Sequence, residues 1–167
     1  VTGEVSEYRP QGQDSAFQTS TQLGDAEWTV ASSGNELPAA VELTPDAVPE
    51  KLAPEEGNLE ELELQPDKYA LDFWEAHEGE RVSVADAPLV SRSTDYDELY
   101  VTTKPDQNRT PRGGVVYGDY DAPNTGLLKI ESLIPFSERP FPTANVGDTL
   151  TGTTTGPLGG DQYGGYT

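Results

Sequence analysis

One segment gathers positive charge in a strongly acidic chain. Residues 104–118 read KPDQNRTPRGGVVYG, and three of the ten basic residues, Lys104, Arg109 and Arg112, fall within nine positions. Guanidinium groups beside two consecutive glycines can bind a phosphate, because arginine and open backbone amides both donate to its oxygens. The segment lacks P-loop spacing, and no clear helix follows it. Two interpretations stay open: a nucleic-acid contact, or a β connection with surface arginines. The absence of P-loop spacing favours the β connection.

Oxygen-bearing side chains form a second candidate site. Asp119, Asp121 and Asn124 in GDYDAPN resemble the closely spaced oxygen ligands that bind calcium. The closing glutamate of an EF-hand is missing, and Pro123 suits a plain turn. A turn is therefore favoured over an ion site. The segment 95–98, DYDE, is a weaker example of the same kind.

The single histidine, His77, lies between Glu75 and Glu78. A histidine near carboxylates can act as a general base. The sequence around it offers no nucleophile, so a surface or half-buried histidine is the favoured interpretation. The chain has no cysteine, which excludes disulfides, thiolate nucleophiles and zinc–thiolate sites. We predict no catalytic residues, no metal ligands and no cofactor within this chain.

Aromatic residues give a fourth candidate. Tyrosines on an open β surface can stack on the bases of single-stranded nucleic acid, and exposed tyrosines with Trp28 or Trp74 can contact a glycan. The same residues are also ordinary strand and core residues, which is the favoured interpretation. The tyrosines concerned are Tyr96, Tyr100, Tyr117, Tyr120, Tyr163 and Tyr166.

The charge balance limits the choice of partners. The chain carries 30 acidic and 10 basic residues, a formal net charge of −20. Such a chain repels polyanions at long range, so any DNA or RNA contact has to be local. No run approaches the roughly 18 apolar residues of a membrane helix, so we expect no membrane insertion by this segment. The chain begins at Val1 and has no methionine, and we interpret it as part of a longer product.

The elements that must position these residues are mostly strands. Short runs rich in Val, Thr and aromatic residues, separated by turn signals, predict a mainly β fold of small OB-like barrel or sandwich modules. The predicted strands are VTGEVSEY, FQTSTQL, EWTVAS, AAVEL, RVSVADAPLV, ELYVTT, GGVVYG, LLKIESLI and DTLTGTTTG. One short helix is predicted near 71–78, with Asp72 and Glu75 as a capping box and Gly79 as its left-handed stop.

The domain organisation follows from composition and from one internal echo. Residues 44–69 hold several prolines and many acids with little periodicity, and they predict a linker or a loop laid over the surface. Val1-Thr2-Gly3 and Leu150-Thr151-Gly152 each lead into a β run, so we expect two related modules. The predicted domains are the end of a first OB-like module at 1–43, the linker at 44–69, and a second module at 70–167.

Motif order gives the chain a family resemblance. The runs that carry it are ELQPDKYALDFWEAHEGERVSVADAPLV, ELYVTT, NRTPRGGVVYGDYDAPN and VGDTLTGTTTGPLGGDQYGGYT. In this order they resemble the β-rich, OB-like region before the catalytic domain of secreted bacterial nucleases of the endonuclease/exonuclease/phosphatase (DNase I-like) superfamily. His77 and Glu80 depart from the pattern, since apolar residues are expected there.

The resemblance implies a non-catalytic accessory module in a secreted or wall-attached bacterial protein. Its partner would be the adjacent catalytic domain of the same chain, where a divalent metal is expected, with DNA or RNA reached through the parent protein. Lys104, Arg109 and Arg112 are then the candidate nucleic-acid contacts. The alternative is an extracellular binding module for a cell-wall polymer or glycan.

Overall fold

Runs of alternating apolar and polar residues form the strands of this protein. The computed structural model describes residues 1–9, 12, 19–119, 122–135, 137–161 and 165–167. The strands are β1 Thr2–Tyr8, β2 Ser20–Glu27, β3 Val41–Glu42, β4 Arg81–Pro88, β5 Leu99–Thr102, β6 Leu127–Ile130, β7 Thr149–Pro157, β8 Gly160–Asp161 and β9 Gly165–Tyr166. Helix α1 is Ala70–Ala76, and Leu59–Glu61 form a 3₁₀ turn. The prediction of a mainly β fold with one short helix is confirmed.

The strands pair into small sheets. In the central sheet, β4 lies between β3, which is parallel to it, and β7, which is antiparallel. The pairs β1–β2, β5–β6 and β8–β9 are antiparallel. A single bridge between Leu89 and Val101 links the end of β4 to β5. The arrangement is consistent with a small β-sandwich, and the closer assignment to an OB-like barrel stays a prediction.

The core lies where the central sheet, β5–β6 and α1 meet. Fourteen buried apolar side chains form one cluster. They come from segments throughout residues 43–166, so the core is built by long-range contacts. Its members are Leu43, Val48, Ala70, Phe73, Trp74, Val82, Val84, Ala87, Leu89, Leu99, Val101, Leu128, Leu158 and Tyr166.

Helix α1 differs from its prediction at its start. Tyr69 is the N-cap residue and makes no side-chain cap hydrogen bond. Asp72 Oδ2 instead accepts a hydrogen bond from Gln65 N at 2.8 Å, so the predicted capping box is wrong. Gly79 has the expected left-handed conformation, φ +79°, but the helix ends earlier, with His77 as its C-cap, and Gly79 N donates to Leu158 O at 2.8 Å. The helix is short, and packing of Phe73 and Trp74 in the core stabilises it.

Residues 44–69, predicted to be a linker or a surface loop, form an irregular segment that packs against the body. Val48 is 1% exposed within the core, and Leu43 just before the segment is also buried. Lys51 pairs with Tyr69, and its carbonyl accepts a hydrogen bond from Ala70 N at 2.8 Å. A segment with few periodic apolar residues can therefore still pack when its backbone is bonded at both ends.

The β1–β2 hairpin stands apart from this core. Val5 and Leu23 lie directly opposite each other and are 71% and 44% exposed. Glu78 joins the hairpin to the body, because its carboxylate accepts hydrogen bonds from Thr21 N at 3.0 Å and Gly160 N at 3.3 Å.

Each of two strand pairs contains an aspartate in a left-handed conformation. Asp25 on β2 has φ +45° and Asp86 on β4 has φ +46°. Each lies where the strand register shifts, opposite a Thr-Gly step of β1 or β7. The extra residue falls on β2 in the hairpin and on β7 in the body. The Thr-Gly echo noted in the sequence thus coincides with a bulge in each strand pair, but the bulge lies opposite the Thr-Gly step in the hairpin and on the Thr-Gly strand itself in the body. The assignment to two related modules stays a prediction.

Two predicted strands are absent as strands. Residues 28–32 of EWTVAS lie outside any strand. GGVVYG forms a turn around Arg109, and its pairing is limited to a bridge between Arg109 and Val115. Local hydrogen bonds prevail over β propensity there, since Thr110 N donates to Gly114 O at 2.8 Å.

Candidate functional site

Lys104 is buried rather than presented to solvent. Its residue is 7% exposed, and its Nζ donates to the carbonyl oxygen of Pro45 at 2.8 Å. Its backbone N–H donates to Thr102 Oγ1 at 2.9 Å. The ammonium group therefore fastens the 44–50 segment to the end of β5 and does not face a ligand.

Arg109 holds its own turn. Its Nε donates to Gly113 O at 2.8 Å, and a second guanidinium nitrogen donates to the same oxygen. Another donates to Pro105 O at 3.4 Å. Gly114 N donates to Thr110 Oγ1 at 3.0 Å, which closes the turn from its other side. The carbonyl oxygen of Gly113 thus accepts the guanidinium hydrogen bonds that the sequence could have offered to a phosphate.

Gly113 shows why the turn needs glycine. It has φ +98°, and a Cβ there would lie 3.0 Å from Gly147 Cα. Arg112, next to it, is exposed. Of the three basic residues singled out in the sequence, Arg112 alone keeps an exposed side chain, so the structure does not combine them into one open cationic surface.

Asn124 is the centre of a buried polar network, not a calcium ligand. Its Oδ1 accepts from Thr102 Oγ1 at 2.7 Å and from Gly126 N at 3.1 Å. Its Nδ2 donates to the carbonyls of Lys104 at 2.9 Å and Gln107 at 2.6 Å. All four hydrogen-bonding positions of the amide are occupied by protein groups. Asp119 is exposed, and Asp121 lies outside the described residues.

The network continues through Thr125 to the helix. Trp74 Nε1 donates to Thr125 O at 3.0 Å, and Thr125 Oγ1 donates to Pro49 O at 2.7 Å. Gln107 Oε1 accepts from Thr125 N at 2.7 Å. These bonds join α1, the 44–50 segment and the loop after β5, so this part of the basic segment is structural.

His77 packs as a half-buried residue. Its ring lies 4.5 Å from the ring of Phe73, edge to face, and its Nδ1 lies 2.7 Å from Glu80 Oε2. Glu78 is occupied with the hairpin. His77 and Glu80, the two residues that depart from the pattern of the nuclease resemblance, therefore interact with each other through their side chains. The general-base interpretation gains no nucleophile from these contacts.

The described ranges contain neither a cluster of metal-binding side chains nor a membrane-spanning helix. Within them, no group of three or more histidine, cysteine, aspartate or glutamate side chains is placed to hold a metal ion. In the same residues, no helix has the length and apolar character needed to span a bilayer.

Two of the tyrosines line one open cleft. The cleft has a volume of about 950 Å³ and lies beside β5 and the end of β6. Tyr96 projects from a turn and is 82% exposed, while Tyr100 on β5 is half-buried. Burial raises the pKa of the Tyr100 hydroxyl, and the nearby Glu98 charge raises it further, so the phenol stays neutral.

An ion-paired lysine, Lys129, bonds two of the carboxylates that line this cleft, Glu98 and Glu131. Lys129 on β6 is 3% exposed in its side chain, and its Nζ lies 3.2 Å from Glu98 Oε1 and also bonds Glu131. Burial by itself would raise the pKa of Glu98, but hydrogen bonds from Thr94 and Lys129 lower it below its ordinary value. Burial likewise opposes the Lys129 charge, and the bonds to Glu131 and Glu98 raise the pKa of its ammonium. Both groups are therefore charged at neutral pH.

An apolar cavity of about 660 Å³ lies between the central sheet and β6. Its walls combine core side chains such as Val84, the partly buried Ile130 and Leu150, and residues beyond β6 such as Leu133 and Phe141. The cavity is partly open to solvent.

The remaining aromatic residues separate into core and surface. Trp74 is 3% exposed and stacks on Tyr166, with ring centroids 5.6 Å apart. Trp28 and Tyr117 are 71% and 70% exposed. Tyr120 and Tyr163 lie outside the described residues.

Sequence reasoning singled out DYDE and the tyrosines separately and missed Lys129 and Thr94. The signal for Lys129 was a lysine inside an apolar strand, LLKIE, followed two residues later by a glutamate. Two residues apart on a strand means the same face, where opposite charges attract.

Comparison with known proteins adds one finding. No curated protein and no solved structure matches the chain. Residues 40–167 match a protein-family model, described as a domain of unknown function (DUF8508). The match begins before the segment predicted as a linker, in agreement with the packing of residues 44–69. Because it covers more than half of the chain, the chain belongs to the DUF8508 family.

Proposed function

We propose that this chain is a non-catalytic accessory β module of a secreted or wall-attached nuclease of the endonuclease/exonuclease/phosphatase superfamily. It would space the neighbouring domains or present substrate to the catalytic domain, which would hold the divalent metal. The order of the short motifs quoted above supports this proposal. The DUF8508 match is neutral toward it, since that family carries no assigned activity.

The state of the basic segment is the observation that carries the accessory role. The Lys104 ammonium donates to Pro45 O, and the Arg109 guanidinium donates to Gly113 O. Cations engaged by carbonyl oxygens inside the fold contribute little to phosphate binding, which depends on displacing counterions from DNA. The RTPRGG segment therefore supports the fold, and Arg112 is left as the exposed cation beside it.

The first experiment compares Arg109→Ala with Arg112→Ala. Loss of Arg109 should lower thermal stability, because its turn loses three hydrogen bonds, while loss of Arg112 should change it by less than about 0.5 kcal/mol. Binding of a short DNA duplex, titrated with salt, should be weak and equal in both. A marked loss of DNA binding in Arg112→Ala would instead make this residue a nucleic-acid contact.

The nuclease assignment has its own tests. The polypeptide containing this chain should carry, after it, a domain with the histidine and carboxylate motifs of metal-dependent phosphodiester hydrolysis. A different catalytic domain there would contradict the proposal. Hydrolysis of DNA by the purified chain, persisting through repeated purification, would contradict the non-catalytic role.

A second function is favoured by a different observation. The cleft gathers Tyr96 and Tyr100, and Trp28 is exposed, so aromatic surfaces are available to an extracellular polymer or glycan. Binding of the chain to insoluble wall polysaccharide, weakened by Tyr96→Ala or Trp28→Ala, would support this function. Equal retention of both variants would remove its basis.

A further inference from the structure

The cleft beside β5 is rich in carboxylates that face an open space. Asp95, Asp97, Glu98 and Glu131 line it, together with one cation, Arg92. The ammonium of Lys129 is paired with the carboxylates of Glu98 and Glu131. Arg92 lies 3.7 Å from Asp95, and both of these side chains are largely exposed. The cleft therefore keeps a net negative charge in a chain that is itself strongly acidic.

The exposed tyrosine of the cleft is presented by a fixed turn. Thr94 Oγ1 accepts from Tyr96 N at 3.2 Å and from Glu98 N at 3.3 Å, and donates to Glu98 Oε2 at 2.8 Å. Asp97, inside the turn, has φ +59°. Because the turn is held from both ends, placing the Tyr96 ring against a ligand orders little additional backbone.

We propose that this cleft is a binding site for a ligand carrying several protonated primary amines. This inference rests on the binding function given second above, and it names the chemistry of the ligand. Two sources offer that chemistry: an aminosugar polymer with free amino groups, and a free polyamine. The argument has an electrostatic part and an aromatic part.

The electrostatic part concerns the sign of the ligand. Asp95 and Asp97 are not neutralised by Lys129, and the net charge of −20 raises the local concentration of cations around the whole chain. Anionic ligands, including nucleic acid, are repelled by the same field. An ammonium group in the cleft would donate charge-assisted hydrogen bonds to the carboxylate oxygens of Asp97 and of Asp95, whose pairing with Arg92 is largely exposed.

The aromatic part concerns Tyr96 and Tyr100. An ammonium group within about 6 Å of a tyrosine face is attracted by the ring quadrupole. Burial raises the pKa of Tyr100, so its phenol stays neutral. The ring therefore adds no pH-dependent negative charge to the cleft. Carboxylates beside tyrosine faces are thus the combination that suits an amine over a neutral hydroxyl group.

The experiment uses matched probes. Binding of the purified chain to a glucosamine hexamer and to the N-acetylglucosamine hexamer is measured by calorimetry at about pH 6, below the pKa of ordinary amines. N-acetylation removes the charge and leaves the sugar rings. Spermine is the third probe and stands for free polyamines. The glucosamine hexamer is expected to bind at least about tenfold more tightly than its acetylated form, and less tightly as salt is added.

Variants place the site. Tyr96→Ala and the double variant Asp95→Asn/Asp97→Asn should each weaken binding of the amine probes about 5- to 10-fold. Asparagine tolerates the left-handed backbone of residue 97, so the turn is retained. The matched controls are Tyr117→Ala and Asp106→Asn, which remove an exposed tyrosine and an exposed carboxylate outside the cleft and should leave binding unchanged.

Each outcome decides the matter. Tight spermine binding that depends on Tyr96 supports the amine site and assigns it to free polyamines, while preference for the glucosamine hexamer assigns it to an aminosugar polymer. Equal weakening by the control variants would reduce the effect to general attraction by the acidic surface and overturn the site. Equal binding of both hexamers, lost in Tyr96→Ala, would overturn the amine inference and leave the glycan-binding function standing. No binding of any probe would overturn both.

Discussion

Lys129 on β6 and Glu98, the residue just before β5, form an ion pair, with Nζ of the lysine 3.2 Å from Oε1 of the glutamate. Their side chains are 3% and 17% exposed. Glu131 approaches the same ammonium from the more exposed side. The two carboxylates compensate a charge that would otherwise be very costly to bury.

Replacing Lys129 by methionine should strongly destabilise the protein. Two carboxylates would then lose their shared partner, and removing one member of a buried pair costs about 3–5 kcal/mol; partial exposure of Glu131 lowers the expected loss to about 2–4 kcal/mol. Urea unfolding measures it. Arg92→Met is the matched control, because Arg92 and Asp95 are 71% and 88% exposed and such pairs contribute about 0–1 kcal/mol. Equal effects of the two substitutions would contradict the structural role of Lys129.

The pH dependence of Glu98 has a defined sign. Its pKa in the folded protein is lowered from the ordinary value of 4.5, so its contribution to stability is present above pH 4.5 and is lost as pH falls through the folded pKa. The stability difference between the wild type and Glu98→Gln should therefore be constant from neutral pH to about pH 5 and shrink at lower pH. Taking the difference cancels the titration of the other carboxylates.

Glu36→Gln, which removes an exposed carboxylate, is the control for the loss of one negative charge. A difference for Glu98→Gln that grows as the solution is acidified would show that the carboxylate is not stabilised in its charged form. Lys129 gives the complementary expectation, since its pKa is raised above 10.5 and its contribution is lost only as pH rises through the folded pKa.

Asn124→Ala should be among the most destabilising substitutions in the chain. It removes four hydrogen bonds: the carbonyl of Gln107 loses its donor, while the carbonyl of Lys104 keeps a bond from Gln107 N at 3.2 Å. A loss of about 3 kcal/mol is expected, since each unsatisfied buried group costs about 1–3 kcal/mol. Asn35→Ala, whose amide bonds an exposed serine, should change stability by less than about 0.5 kcal/mol. Thermal unfolding monitored by circular dichroism would separate the two.

Gly113→Ala and Gly34→Ala separate backbone strain from collision. Both glycines have positive φ, +98° and +70°, so both substitutions carry the strain of about 1–2 kcal/mol for a left-handed alanine. The added Cβ at 113 would also lie 3.0 Å from Gly147 Cα, whereas nothing lies within 4 Å of one at 34. Gly113→Ala should therefore be clearly the more destabilising in urea unfolding. A loss no larger than that of Gly34→Ala would show that the two loops yield easily.

The elements with strong local signals could be predicted from the sequence. The alternating residues of RVSVADAPLV and DTLTGTTTG form β4 and β7, and Gly79 has the expected left-handed conformation after α1. In these places periodicity and backbone freedom act within a few residues. Tertiary contacts then agree with local preference instead of competing with it.

The candidate site depended on partners that are distant in the sequence. Lys104 reaches a carbonyl 59 residues away, and Lys129 reaches a carboxylate 31 residues away. Composition treats each lysine as an exposed charge, because lysine is rarely buried without a partner. The packing of residues 44–69 could not be predicted for a related reason, since Val48 packs into a core made by other segments.

The aspartates at the two bulges restrict how this sequence can drift over evolutionary time. Asp25 and Asp86 occupy left-handed backbone that tolerates Asp, Asn or Gly and opposes β-branched residues. Asp86 adds a contact, since its Oδ1 accepts from Gly152 N at 2.8 Å. Among relatives, we therefore expect these two positions to vary within that small residue set while the strand residues around them exchange freely. An aspartate, asparagine or glycine opposite a Thr-Gly step would then identify a strand pair of common ancestry, even after the apolar pattern of its strands had diverged.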